Sequence, residues 1–544
     1  MVESGKTAKK SFLSGVLLLS LSTFLVKIVG FLYKIPMLTY LGSVGMGYFH
    51  SAYEIYAMFC IIATAGLPVA LSVLISAALA RGDQRGVKRI YRVSMTVFCV
   101  IGVAGSVAMA VFAPQFCRLI QSERAKDCIV AISPTVFFIC LSSGLRGYFQ
   151  GHQRMLPTAI SQLIEAVGKL IFGIVLAGWA LDRGLEPPRV AAAAGWGLTL
   201  GTVVSTAYLF LEKLRGNFAY RTRETSTAPA KQVSLRKTVS ALAALAIPMT
   251  LGASAVSLTK LIDMTMILRR LQAIGFSEAS ANEAYGSYTA LALSVYALLP
   301  SLVNSISLPL IPRLSEAIER GDQAQQSSMI RASYHLTSVV AIPAALVIAA
   351  FAKPILTLLF GREADAVALA APLLSALGVS VFLSCMITAT NSVLHAYRLV
   401  NRPIFAMLVG AGIKILSAYL LIGIPDIGIL GAPISTLLCN LSVVILNLRF
   451  SAGLQKTEDL IVIFGKPLAA AIPSIGIPFC LYHLVEMRVG GGVWLTLTCL
   501  ALAMLLYLFF VFLLRVVEPD ELEMLPIGKR LSRWFSGVDS VSAE

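Results

Sequence analysis

Apolar residues fall into fourteen long runs along this chain, near residues 12–33, 47–77, 93–113, 127–149, 157–181, 190–212, 239–268, 285–311, 331–351, 366–396, 403–424, 428–448, 462–484 and 490–515. A helical crossing of a bilayer core needs about 20 apolar residues in a row. The pattern therefore predicts an all-α integral membrane protein with 14 transmembrane helices. The longest segments outside these runs, 213–238 and 516–544, are too short to hold a soluble domain. Function is expected to be defined by the two sides of a membrane.

Composition agrees: hydrophobic residues make up 57% of the chain and charged ones 13%, against about 25% charged in soluble domains. Lys and Arg crowd onto every second connection. One side collects Lys6, Lys9 and Lys10, the cluster from Arg81 to Arg92, Arg146, Arg154, the run from Lys213 to Lys237, and most of the later basic residues. That side holds 28 of the 44 Lys and Arg. The side richer in Lys and Arg is the cytoplasmic one, which puts both termini in the cytoplasm. The net charge of +16 is then topological, with some attraction to anionic headgroups. The basic residues sit in short separate loops rather than on one face, which argues against nucleic acid as a partner.

The chain opens basic and then apolar from Phe12, as a signal peptide does. No small-residue cleavage site follows promptly, so the first run is read as a retained helix. The nine cysteines show no CxxC pair and no His at metal spacing, and most are expected to be packing residues. Cys117 and Cys128 flank one outer loop and are the one candidate pair. No Walker A loop, HExxH or G-x-S-x-G elbow is found. The expectation is neither an enzyme nor an ATP-driven pump, with no cofactor and no metal.

Two sequence echoes suggest a duplication. ALARGD (78–83) returns as AIERGD (317–322), 239 residues later, and RMLPTAISQLIEAVGKL returns as VNRPIFAMLVGAGIKIL, with Pro157 and Pro403 separated by 246. Both offsets correspond to six spans, an even number, so the halves are expected to be parallel repeats about an axis along the membrane normal. The organisation reads as a first six-helix lobe (1–212), a cytoplasmic linker (213–238), a second lobe (239–450), two extra helices (451–515) and a cytoplasmic tail (516–544). The linker is rich in Ser, Thr, Ala and Pro from Thr222 to Ala230, as flexible segments are. The tail is expected to carry a short surface helix near Leu525 to Phe535.

Ionisable residues inside spans usually face a protein interior or a wet cavity. Here they are Lys27, Glu54, Glu165, Lys169, Lys260, Asp263 and Lys414, with Arg146 at the cytoplasmic mouth and Lys34 and Lys466 near span ends. Lys169 and Lys414 lie close to the midplane at nearly matching places in the two halves. A cavity with net positive character between the halves would receive an anionic substrate. The bland alternatives are local. Glu165 with Lys169 (i, i+4) and Lys260 with Asp263 (i, i+3) can neutralise each other. Lys34 and Lys466 can snorkel, and Glu54 can pair with Lys27. Lys27 and Lys414 have no acid within one turn of their own helix.

The segment LRGYFQGHQRMLPTAISQLIEAVGKLI (145–171) resembles the signature of the SpoVB-like polysaccharide transport proteins of Gram-positive bacteria. That family is grouped with the MurJ lipid II flippases and, more distantly, with the MATE multidrug antiporters of the MOP superfamily. FLVKIVGFLYKIPMLTYLG (24–42), GLPVALSVLISAALARGD (66–83) and SLPLIPRLSEAIERGD (307–322) fit as well, so the resemblance runs from the first span to at least the eighth. It implies two six-helix lobes around a cationic cavity, with the last two helices forming a groove for a polyprenyl tail. The implied cargo is a lipid-linked oligosaccharide such as the peptidoglycan precursor lipid II, moved from the inner to the outer leaflet within the cell-envelope machinery. Lys27 falls where MurJ-like proteins carry a cavity arginine, keeping the charge but not the bidentate fork. Glu54 falls where another arginine is found, so the MurJ binding pattern does not transfer directly. The rivals are a cation-coupled MATE-type exporter, a flippase for another envelope polysaccharide precursor, and a non-transporting envelope scaffold. An exporter of cationic drugs would call for an acidic cavity, and the intramembrane lysines outnumber the acids.

Overall fold

The computed structural model describes residues 2–219, 235–307, 310–452 and 461–517. Most of the expected linker and the proposed surface helix near Leu525 to Phe535 lie outside these residues. Among the described residues every regular element is helical, and eleven helices are long and apolar enough to cross a membrane. Their outer faces carry apolar stripes at helical spacing, such as Val100, Val103, Val107 and Val111, all exposed. In a bilayer such a stripe meets lipid, while the helix satisfies its own backbone. The chain divides into two compact units, Met1–Gly286 and Ser287–Glu544.

The first unit holds α1 (Val2–Thr64), α2 (Leu67–Ala80), α3 (Gln84–Val111), α4 (Ala113–Ile120), α5 (Lys126–Gly151), α6 (Leu156–Asp182), α7 (Pro187–Ala219), α8 (Leu235–Ala273) and α9 (Glu278–Gly286). The expected break between the first two apolar runs is a single residue. Gly42 sits at φ 62°, ψ 175°, a combination essentially confined to glycine. There the helix turns back on itself. The rings of Tyr33 and Phe49 come within 6.4 Å, where a straight helix would separate them by about 24 Å. The second arm ends at Thr64 because Gly66 and Pro68 follow, and Pro68 begins α2 where its missing N–H costs nothing. The run read as one span over 47–77 is thus two helical pieces.

Helix α5 is joined to α7 by two hydroxyl pairs one heptad apart, Thr135 with Thr199 and Ser142 with Thr206, both 2.7 Å. Helix α6 meets α7 through glycines. A Cβ on Gly168 would fall 2.9 Å from Gly201, and one on Gly201 2.5 Å from the backbone nitrogen of Lys169. Small residues and interhelical hydrogen bonds are how helices associate where lipid removes the hydrophobic drive.

The second unit holds α10 (Leu293–Tyr296), α11 (Leu298–Ser307), α12 (Leu310–Glu319), α13 (Gln323–Ala350), α14 (Ala352–Phe360), α15 (Ala364–Ala396), α16 (Asn401–Ile422), α17 (Gly431–Ser451), α18 (Lys466–Val489) and α19 (Val493–Leu513). The run expected as one span at 285–311 is instead interrupted, with a π-helical turn over Ser287–Ala292. Helix α18 packs on α13 around Ile342, Phe351, Ile475 and Tyr482. Tyr507 of α19 donates a 2.7 Å hydrogen bond to the Val339 carbonyl.

The sequence echoes have structural counterparts. Gly82 and Gly321 share φ 71°, and the Asp that follows each caps the next helix, Asp83 to Gly86 N at 2.7 Å and Asp322 to Gln325 N at 3.0 Å. Gln153 and Arg398, just past α5 and α15, share φ 59°. The short helices α4 and α14 follow α3 and α13 at the same place.

Candidate functional site

Two helices joined by a four-residue turn run antiparallel, so α5 and α6 bring Arg146 and Glu165 to comparable depth. One Arg146 Nη donates to a Glu165 carboxylate oxygen at 2.8 Å, and Lys169 Nζ donates to the other oxygen at 2.5 Å. Arg146 also donates through Nε to Ser161 Oγ at 3.0 Å and reaches Ser205 Oγ at 3.4 Å. Ser205 in turn donates to the Ser161 carbonyl at 2.8 Å. The Glu165 side chain is 11% exposed, those of Arg146 and Lys169 12% and 22%. Two cations surround one carboxylate, leaving a net charge of about +1 in a shielded place. The expected Glu165–Lys169 pair is present, but it belongs to a triad. Arg146, expected at the cytoplasmic mouth, directs its guanidinium to Ser161, Glu165 and Ser205.

A second group of charges gathers in the same unit. Lys34, on the first arm of α1, lies within electrostatic reach of Glu54 on the second arm and of Lys260 on α8. His50, also on the second arm, feels Lys34. The reversal at Gly42 is what brings residues 34 and 54 together. Tyr53 lies within reach of Lys169 and Glu165 as well as Glu54, so it adjoins both groups. Lys27 is exposed on the first arm of α1, and carrying the Tyr33–Phe49 register along the arms sets it near the level of Glu54. Lys260 is exposed and Asp263 half-buried on α8. Lys414 is half-buried on α16 of the second unit, whose interior is organised by neutral groups. Asn440 donates to Tyr296 at 2.9 Å and to Ser380 Oγ at 2.8 Å, and Asn447 donates to Asn391 Oδ1 at 2.8 Å.

Sequence reasoning assigned Lys34 to a span end and passed over Tyr53, Ser161 and Ser205. The glycine at 42 was the available signal for Lys34, since a reversal there places it opposite Glu54. Nothing in the spacing of Ser161 and Ser205 marks them out from other intramembrane hydroxyls. Cys117 and Cys128 are both buried free thiols, not a bridge, and Cys128 donates to the Ala191 carbonyl at 3.3 Å. Among the described residues no group of His, Cys, Asp and Glu is arranged to hold a metal ion.

Comparison with known proteins bears on this arrangement. The chain is 25% identical over 539 residues to Stage V sporulation protein B of Bacillus subtilis (strain 168), covering 96% of this chain and 99% of that protein. It is 25% identical over 418 residues to Lipid II flippase MurJ of the same organism, covering 74% and 76%. Among solved structures, Lipid II flippase MurJ in an inward closed conformation superposes with a TM-score of 0.68 at 15% identity, over 91% of this chain and 98% of that one. The MatE family matches residues 287–420. The family described as Polysaccharide biosynthesis protein matches residues 12–318, more than half the chain, and it is to this family that the protein belongs.

Proposed function

We propose that this protein is a flippase that carries an undecaprenyl-diphosphate-linked saccharide, lipid II foremost, from the inner to the outer leaflet of the bacterial cell membrane. The observation that carries the reading is the buried Arg146–Glu165–Lys169 triad, joined through Tyr53 to the group around Lys34, Glu54 and Lys260. The triad has two cations for one carboxylate. Taking a diphosphate out of water costs several kcal/mol per charge, and fixed cations along the route offset that cost. The polyprenyl tail needs no such help, because it stays in lipid throughout. We assign it the surface formed by the last two helices.

On this reading the two arms of α1, α8 and the interrupted run over α9 to α11 join the remaining long helices to give fourteen crossings, with both termini in the cytoplasm. Transport proceeds by alternating access, without covalent chemistry. The membrane potential is available to help reset the carrier, at about 2.3 kcal/mol per charge per 100 mV. A cation-coupled drug exporter is the weaker reading, since an excess of buried cations repels its cargo. The test is complementation. In a strain depleted of its own lipid II flippase, this chain should restore growth, and Arg146→Gln with Lys169→Gln should not. Failure of the well-expressed wild-type chain to restore growth would count against lipid II as the cargo.

A further inference from the structure

We infer that Tyr53 is a stacking platform for the sugar ring next to the diphosphate; this rests on reading the Arg146–Lys169 pair as the diphosphate ligands. Three rings on the second arm of α1 form one assembly. Phe49 and Tyr53 stack at 6.3 Å with planes 21° apart, and Tyr56 tilts against Tyr53 at 5.7 Å. Phe49 and Tyr56 are buried at 4% and 3% exposure, while Tyr53 keeps 36% open. The two buried rings flank the exposed one.

What that open ring faces is set by its neighbours. Lys169, Glu165 and Glu54 are all within electrostatic reach of it, so the ring borders the charged groups and not only hydrocarbon. The chemistry suits a pyranose. A sugar presents a face of C–H bonds with slight positive charge, which complements the negative face of an aromatic ring. Its hydroxyls project from the rim, where Glu54 can accept from them. A diphosphate held by Arg146 and Lys169 is attached directly to its first sugar, so that sugar lands beside the cations, where Tyr53 stands. The rest of the headgroup needs no contact with this ring.

The test compares two probes on the full-length protein in lipid nanodiscs: undecaprenyl diphosphate, and the same lipid bearing one N-acetylhexosamine. The readout is the ratio of their dissociation constants, alongside the melting temperature of each variant. Wild type should prefer the sugar-bearing probe by about 3- to 10-fold, the range expected of one aromatic stacking contact. Tyr53→Ala and Tyr53→Leu should bring the ratio to near one, and Tyr53→Phe should keep it, because the ring and not the hydroxyl makes the contact. A ratio near one in wild type, a ratio unchanged in Tyr53→Ala, or equal losses in the Phe and Ala variants would overturn the platform while leaving the diphosphate reading intact. If wild type binds neither probe, the functional reading fails and the platform falls with it.

Discussion

Replacing Glu165 with Gln removes the one negative charge from the triad on α5 and α6 while keeping its volume. Both Arg146 and Lys169 lose their carboxylate partner at once, in a shielded place where their side chains are only 12% and 22% exposed. Breaking a buried ion pair by deleting one partner costs about 3–5 kcal/mol. The Gln carbonyl still accepts one of the two hydrogen bonds, so the lower end, about 3 kcal/mol, is expected here. At about 1.4 kcal/mol per decade that is roughly a hundredfold loss in the folded-to-unfolded ratio. Adding Lys169→Met removes one stranded cation and should return a good part of the loss, a coupling that a double-mutant cycle isolates. The assay is denaturant unfolding in detergent followed by tryptophan fluorescence, since Trp179 lies on α6 and Trp196 on α7, the helices that carry Lys169 and Ser205. The same variant should bind the diphosphate lipid more tightly, because no internal anion competes for the two cations. A loss below about 1 kcal/mol, with no recovery in the double variant, would mean that the cluster is effectively in water, and the electrostatic argument would fail.

Further outcomes follow from the fold. Gly42→Ala forces a Cβ into φ 62°, ψ 175°, a strain of about 1–3 kcal/mol; unfolding measurements should show a stability loss of that size, and a wild-type profile would mean that the reversal is not built on glycine. The Cys117 thiol, in the short helix α4, is pushed up to about 11 by burial. Since the thiolate is the reactive form, maleimide at pH 7.5 should label Cys117 slowly until the protein is unfolded, and prompt labelling of the native protein would contradict that burial. Cysteines introduced one at a time into 81–92 and 213–238 should react only from the cytoplasmic side, and those in 269–283 only from outside; access to 213–238 from outside would reverse the proposed orientation.

The fold class was legible because lipid imposes one rule, a long apolar helix per crossing, and the chain obeys it nearly everywhere. The sequence echoes were legible where a turn demands particular chemistry, as in the two RGD turns with their positive-φ glycines and capping aspartates. The helix interruptions were less visible. A run over 47–77 looks unbroken in hydropathy, yet Gly66 and Pro68 stop one helix and start another. At the site, local spacing revealed Glu165 with Lys169, since both lie on one helix. Contacts between distant elements, such as Arg146 to Ser205, depend on how helices pack, and a period along the sequence carries no trace of that. The neutral contacts of Asn440 with Tyr296 and of Asn447 with Asn391 likewise join distant elements.

The central claim, that buried cations carry a diphosphate headgroup across the bilayer, is tested most directly by flipping in proteoliposomes. The purified chain is reconstituted alone with fluorescent lipid II, and the fraction reaching the opposite leaflet is followed by quenching with a membrane-impermeant reagent. The account predicts protein-dependent flipping of lipid II, slowed at least tenfold by Arg146→Gln together with Lys169→Gln, and little movement of a neutral glycolipid with the same tail. Equal flipping of the neutral lipid, or full activity in the double variant, would contradict it.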